Sequence, residues 1–378
     1  MIYKNFQNLK LSALGFGTMR LPVSAPSGDT PVDQAAVDHM VDYAMANGVN
    51  YYDTAWGYHN GESERAIGTS LSRYPRESFY LTTKFPGYDL SNMGKVEAIF
   101  EEQLKKCQVD YFDFYLFHNV YEKNIDPYLD PQYGILDYLL KQKANGRIRH
   151  LGFSAHGSYE VIKRFLDAYG KHMEFAQLQL NYLDWEFQDA RSKVELIKEY
   201  HLPIWVMEPL RGGRLTRLTP EQTRSLQALR PQESPASWAF RFLQTIPEVT
   251  MVLSGMSDLD QMKDNIQIFS EHKSLNAKET DALFQIAHDM TRQEVLPCTA
   301  CRYCTNHCPK ELNIPYLISL YNEHKFTGGG FIAPMALGAL PKDKLPSACI
   351  GCRSCEAVCP QQIKISEAFS DFSKLLGL

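Results

Sequence analysis

The sequence predicts an α/β fold: a (β/α)8 TIM barrel over residues 1–290, followed by a small, mostly helical two-centre module over 291–378. Short β-branched and aromatic runs alternate with amphipathic helical stretches through the first part, which is the pattern of repeated βα units. Eight such runs fit into roughly 250 residues, the length an eight-stranded barrel needs. Cysteine usage then changes abruptly, because Cys107 stands alone and the other eight cysteines all lie beyond Pro297.

The strand candidates, in order, are LGFGTMRL from Leu14, VNYYDTA from Val49, FYLTTKF from Phe79, FDFYLFH from Phe112, IRHLGFS from Ile148, FAQLQLN from Phe175, PIWVMEP from Pro203 and VTMVLSG from Val249. A doubly wound sheet is the rival architecture. It would show a GxGxxG turn after its first strand, and Gly15 and Gly17 are followed by neither a third glycine at the required place nor a helix start. Hydrophobic residues make up 44% of the chain and charged residues 22%, enough apolar material for one large core and a small one. A net charge of -5 argues against a nucleic-acid partner. The start lacks a charged and then apolar leader, and no apolar run approaches the roughly 18–20 residues of a membrane span, so a cytoplasmic protein without a membrane partner is expected.

The cysteines fall in two runs of identical spacing, Cys298-x2-Cys301-x2-Cys304-x3-Cys308-Pro309 and Cys349-x2-Cys352-x2-Cys355-x3-Cys359-Pro360. This is the bacterial ferredoxin pattern for two 4Fe-4S clusters. Three thiolates at intervals of three wrap one face of a cubane, while the fourth, after a longer gap, points to the partner cluster. Crossed ligation is therefore expected, with Cys298, Cys301, Cys304 and Cys359 on one cluster and Cys349, Cys352, Cys355 and Cys308 on the other. A pair of zinc sites would use only two close pairs and leave the remaining cysteines unexplained. Radical S-adenosylmethionine chemistry would need a CxxxCxxC run, which is absent. Between the runs, Ile314, Leu317, Ile318 and Tyr321 recur at helical spacing and lead into a Gly/Pro-rich loop, GGGFIAPMALGALP, as in an all-helical two-cluster domain. Cys107, in LKKCQVD, is expected to be a buried or half-buried thiol and is assigned no function.

Catalytic groups of such barrels sit at the C-terminal ends of the strands. There the sequence places Asp53 with Tyr58 shortly after, Lys84, His118, Ser154, and Gln179 with Asn181. Each has an ordinary reading alone, as a turn residue, rim charge, core histidine or packing aromatic. Together they make a proton-transfer unit. A tyrosine hydroxyl, with a pKa near ~10, can act as general acid to a carbonyl oxygen when a cation favours its phenolate and a hydrogen-bond donor polarises the carbonyl. Lys84 supplies the cation, Asp53 holds Lys84, and His118 orients the carbonyl. Trp56, Phe85, Tyr88 and Trp185 are the nearby aromatics that would line an apolar pocket.

The phrases GFGTMRLP, DTAWGYHNGESERAIGTSL, LTTKF, DYFDFYLFHN, GRIRHLGFSAH, LQLNYLD, EPLRGGRL and SGMSDLDQMKDNI, in this order, resemble the aldo-keto reductase family. With the two cysteine runs appended, the chain is similar over nearly its full length to a bacterial iron-sulfur subgroup of that family. The resemblance implies hydride transfer between NADP or NAD and a small carbonyl or alcohol substrate, with Tyr58 as proton donor and Asp53, Lys84 and His118 completing the tetrad. It also implies that Ser154 and Gln179 bind the nicotinamide carboxamide and that the Leu210 to Gly213 backbone, with Gly212, approaches the pyrophosphate. Two positions depart from the family pattern: Ala155 stands where asparagine is usual, and Met207 where a tyrosine commonly stacks on the nicotinamide. At the end of strand eight, Ser257, Asp258 and Asp260 replace the arginine or lysine that pairs with a 2'-phosphate, with Lys263 nearby, so NADH is at least as well suited as NADPH.

Nicotinamide moves two electrons as hydride and each cluster moves one, so a relay between them needs a flavin mediator or a radical-tolerant substrate. Otherwise the clusters are structural or serve an external ferredoxin or flavoprotein. The competing reading makes the whole chain an electron-transfer or redox-sensing module whose barrel binds nucleotide without turnover.

Overall fold

The computed structural model describes residues 1–24, 31–292, 295–298, 301–302, 304–359 and 361–378. Its two compact units are Met1–Phe284 and Gln285–Leu378. Pro360, the proline of the second cysteine run, lies outside the described residues.

The first unit opens with an antiparallel hairpin of β1 (Tyr3–Phe6) and β2 (Leu9–Ser12), pairing Tyr3 with Ser12 and Phe6 with Leu9. The strand pattern did not announce it, because YKNF and LKLS mix polar and apolar residues and carry no continuous apolar run. Eight parallel strands follow: β3 (Leu14–Gly17), β4 (Tyr51–Asp53), β5 (Tyr80–Phe85), β6 (Phe112–Val120), β7 (Ile148–Ala155), β8 (Phe175–Gln179), β9 (Ile204–Met207) and β10 (Val249–Gly255). They close in chain order, with β10 paired to β3, and correspond one to one with the predicted runs. The first strand is shorter than its run, because Thr18–Arg20 turns into a 3-10 helix as the Thr18 hydroxyl donates to Asp53 O at 2.9 Å. Most strand residues are buried, as expected where helices cover the outside and packed side chains fill the inside.

Large aromatics fill the barrel. Phe175 and Trp205 approach to 4.7 Å between ring centroids, and Phe114 lies 5.4 Å from Phe175. Space for them comes partly from Gly152 on β7, where a Cβ would meet the Phe175 ring at 2.5 Å. The hairpin covers this cluster: Phe6 is 4% exposed and sits 5.2 Å from Trp205 and 5.6 Å from Phe114. The hairpin turn is tied down by Gln7 Nε2, which donates to Glu174 at 2.8 Å.

The second unit packs Leu317 and Ile318 of the helix Ile314–Thr327 against Phe369 and Phe372 of the helix Ile365–Leu376. The predicted Gly/Pro-rich loop contains a short helix, Ile332–Leu337. Pro334 is accommodated there because it occupies the first turn, where backbone N–H groups have no intrahelical acceptor. Among the described residues, no helix is long and apolar enough to cross a membrane.

Phe6→Ala should destabilise the first unit by about 3–5 kcal/mol, since it opens a cavity against Phe114 and Trp205. Chemical denaturation followed by tryptophan fluorescence measures this, and a loss below about 1 kcal/mol would mean the hairpin is not part of the barrel core.

Candidate active site and clustered thiols

Closing the strands in parallel brings Asp53, the last residue of β4, and Lys84 of β5 to one rim. Lys84 is fully buried, and its Nζ donates to Asp53 Oδ1 at 2.7 Å and to Thr54 O at 2.7 Å. Its Nζ stands 5.1 Å from the centroid of the Tyr58 ring, near enough for ammonium and phenol to affect each other's ionisation. Tyr58 begins the turn after β4, Tyr58–Gly61, and its ring is 6.1 Å from His118 at an interplanar angle of 81°. His118 lies on β6 where the pairing with β7 shifts register between Phe117 and Val120. Such a bulge re-aims side chains at a barrel rim. The loop is held from behind by Tyr128, whose hydroxyl donates to His118 O at 2.8 Å.

Burial opposes the Lys84 ammonium, but Asp53 and Tyr58 hold its pKa above the ordinary value, so the lysine is charged. Burial pulls the Asp53 carboxyl upward, and Lys84 opposes that rise. Tyr58 is raised by burial, with Lys84 working in the other direction. The predicted pull of Lys84 toward phenolate is therefore present but smaller than the desolvation of the phenolate. Burial first, and then Lys84 and His156, push His118 well below its ordinary value, leaving a neutral imidazole. Asp53 Oδ2 and His118 Nδ1 are buried without a hydrogen-bond partner among the described residues.

The nucleotide candidates lie along the same rim. Ser154 Oγ accepts from Asn119 N at 2.8 Å, which leaves its O–H to donate. Gln179 donates to Asp184 at 2.8 Å and shares a hydrogen bond with His156, whose pKa burial lowers to about 4, with Lys193 adding to the effect. Met207 is in register with Gln179, and its sulfur is 3.8 Å from Gln177 Nε2. Beyond Leu210, Gly212 and Gly213 have φ of 65° and 88°, a left-handed pair that exposes backbone where an anion could approach. Ser257 is exposed, and its N–H donates to Gln261. Asp258 caps the helix Leu259–Ile268 by accepting from Gln261 N at 2.8 Å, while Asp260 pairs with Lys263 at 3.5 Å. Of the predicted pocket aromatics, Tyr88 meets His118 at 5.1 Å. Phe85 is core, packed on Tyr128; Trp185 packs on Phe242, and Trp56 covers Lys106.

In the second unit the thiols gather across the two runs. Cys308, Cys349, Cys352 and Cys355 line one recess, and Cys298, Cys301, Cys304 and Cys359 line another. Both are walled by apolar side chains, including Ile314 and Phe369 in the first and Ile318 and Ile363 in the second. Leu312 N–H donates to Cys308 Sγ at 3.5 Å, the contact that stabilises thiolate sulfur. None of the nine cysteines forms a disulfide, and Cys107 is buried in the barrel unit.

Some site residues escaped the sequence reading. Arg211 Nε contacts Asp184 at 2.9 Å, and both are buried beside Gln179. Glu64, Gln103 and Lys106 form a buried polar cluster behind Lys84. A signal for Gln103 existed: in the helix Val96–Cys107 it falls on the stripe of Ile99, Phe100 and Cys107, where a polar residue needs a partner.

An eight-stranded parallel barrel with a charged lysine, a tyrosine and a neutral histidine on its carboxyl rim has the make-up of an oxidoreductase. The chain belongs to the aldo/keto reductase family, whose model matches residues 13–287, and a 4Fe-4S dicluster domain matches residues 297–364. It is 24% identical over 319 residues to the NADH-specific methylglyoxal reductase of Escherichia coli (strain K12), covering 73% of this chain and 94% of the relative. It is also 24% identical to the L-galactose dehydrogenase of Arabidopsis thaliana, covering 75% and 93%. Among solved structures, an aldo-keto reductase from Bacillus halodurans in its holo form superposes with a TM-score of 0.62 at 24% identity, covering 76% of this chain and 96% of that one. One from Klebsiella pneumoniae in complex with NADPH gives 0.61 at 19% identity, with the same coverage.

Lys84→Met leaves the Asp53 carboxylate buried without its cation and should cost about 3–5 kcal/mol. The double variant Asp53→Asn/Lys84→Met should recover part of that loss, and a double-variant loss equal to the sum of the Lys84→Met and Asp53→Asn losses would show that the pair is not coupled.

Proposed function

We propose that the barrel interconverts a small carbonyl compound and its alcohol by hydride transfer with NAD(P)H, using Tyr58 as general acid and base. The observation that carries this is the contact of Tyr58 with a buried, charged Lys84 that Asp53 holds at 2.7 Å, beside a neutral His118. A bound reduced nicotinamide supplies the hydride. Tyr58 gives its proton to the carbonyl oxygen as negative charge develops there, and Lys84 stabilises the phenolate that remains. His118, being neutral, orients the substrate oxygen by hydrogen bonding without competing as an acid. The free hydroxyl proton of Ser154, with Gln179, suits a carboxamide. Asp258 and Asp260 repel a 2'-phosphate and Lys263 is already paired, so NADH should serve at least as well as NADPH.

The second unit is proposed to hold two 4Fe-4S clusters with crossed ligands, Cys298, Cys301, Cys304 and Cys359 on one and Cys349, Cys352, Cys355 and Cys308 on the other. The grouping of thiols from both runs around each apolar recess supports that pairing. Clusters held there would supply single-electron exchange with a protein carrier such as a ferredoxin or flavoprotein, while the barrel handles electron pairs.

Turnover of a panel of small aldehydes and ketones with NADH and with NADPH tests the first proposal. Tyr58→Phe should lower kcat by about 10²-fold or more, as expected for loss of a general acid. Depressed below 6.5, His118 stays neutral as pH falls, and Tyr58, raised, keeps its proton as pH rises. The reduction rate should therefore be flat from about pH 6 to 9, and an inflection near pH 6.5 would mean that His118 gains a proton during catalysis and is not a neutral donor.

The ligand assignment is tested by iron content. Cys298→Ser/Cys359→Ser should retain about four irons per chain if ligation is crossed, whereas near-complete loss would mean that each run holds its own cluster.

A further inference from the structure

We propose that one face of the helix Val96–Cys107 is a positioning device for the active site, in which Gln103 fixes the strand carrying Lys84 and Lys106 fixes the loop carrying Tyr58. This rests on the reading of Tyr58 and Lys84 as the proton-transfer pair. Gln103 and Lys106 lie three positions apart on that helix and so share a face.

The Gln103 side chain is fully buried. Its Nε2 is 3.0 Å from Lys84 O, 2.8 Å from Glu64 Oε1 and 3.1 Å from Thr83 Oγ1, while its Oε1 accepts from the Tyr115 hydroxyl at 2.6 Å. A backbone carbonyl and a carboxylate can only accept, so the amide NH2 must face them and the orientation is settled by its neighbours. Gln103 thereby grips the backbone of the catalytic lysine itself. Glu64 Oε1 also accepts from Thr83 Oγ1 at 2.7 Å, adding a second hold one residue earlier on β5.

Glu64 Oε2 faces Lys106 Nζ at 3.5 Å, and the Lys106 side chain is 9% exposed. The ammonium lies 3.7 Å from the Trp56 ring centroid, in cation–π contact that gains strength from the shielding. Trp56 is two residues before Tyr58, and the chain continues through His59 and Asn60 at φ of 50° and 54°. Two consecutive left-handed residues that are not glycine do not hold themselves. Contacts on either side must hold them, and Lys106 provides one through Trp56. Glu64 joins the two arms, because it binds both Gln103 and Lys106. The distance between the phenol and the ammonium thus depends on a cluster that belongs to neither.

The readout is the ionisation of the phenol, followed by 19F NMR with 3-fluorotyrosine placed at position 58 of the full chain. A cation held against the phenol favours phenolate, so releasing it raises the pKa. Lys106→Met and Gln103→Leu should each raise it by about half a unit or more. Lys106→Arg, which keeps a cation over Trp56 and beside Glu64, should restore the parent value. Trp56→Leu should match Lys106→Met, and combining the two should add little. With a carbonyl substrate, kcat should fall about tenfold in the Met and Leu variants while KM stays within about twofold, since chemistry and not binding is disturbed. Parent-like titration in these variants, with only a lowered melting temperature, would reduce the cluster to core packing and overturn the proposal. If Lys106→Met does not fold, Trp56→Leu, altered at a half-buried loop side chain, decides the matter. The titration requires no turnover, so a protein inactive on every carbonyl would refute the reductase reading and still leave this one to be judged.

Discussion

A lysine ammonium removed from water must find charge and hydrogen-bond acceptors in the protein, and at Lys84 the requirement is met by Asp53 Oδ1 and Thr54 O. Most of the rim answers to that demand. Asp53 must end its strand where β4 meets β5, Thr54 must turn its carbonyl inward, and Thr18 must reach across to Asp53 O. The Thr54, Ser63 and Thr18 hydroxyls join into one chain, with Thr54 and Ser63 3.0 Å apart and Ser63 donating to Thr18 at 2.7 Å. Lys84 is thus the centre of a polar inclusion in a largely apolar barrel. Its surroundings are specified by desolvation before any substrate arrives.

The barrel was legible because parallel strands buried on both faces leave β-branched and aromatic runs, and eight of these alternate with helical stretches. The gathering of Asp53, Tyr58, Lys84 and His118 at one rim was legible for a related reason, since the end of each run is where the chain meets the rim. Residues acting at a distance in sequence were not. Gln103 could be flagged as a polar interruption of a helical stripe, but nothing in the sequence says that its partner is the carbonyl of Lys84. The β1–β2 hairpin was hidden because YKNF and LKLS carry no continuous apolar run, and the role of Asp258 was hidden by ambiguity. A carboxylate after a strand end reads as electrostatics alone, and nothing local says that its oxygens also cap a helix. Similarly, the direction of the Tyr58 shift depends on how deeply the ring is buried, a quantity no local pattern contains.

The two units solve different problems with similar economy. The barrel stabilises a buried lysine with a carboxylate and a backbone carbonyl, so its site is organised by an ion pair and hydrogen bonds. The C-terminal unit arranges sulfur, a soft and weakly hydrated ligand, among isoleucines and phenylalanines, so its recesses are organised by packing. Spacing was enough to foresee the second arrangement because thiol positions along a short run determine which face they can cover. It was not enough for the first, where partners come from several different strands and helices.

The interleaving of the cysteines has a topological consequence. Cys359 closes the recess begun by Cys298, and Cys308 closes the one that Cys349 begins, so the two chain loops overlap instead of lying side by side. With both recesses bonded, a backbone cut at the Gly328–Gly330 stretch between the runs would leave two fragments still tied to each other twice. The proposed ligation would thus join the two halves of the tail through two separate cross-links, each drawing on both runs.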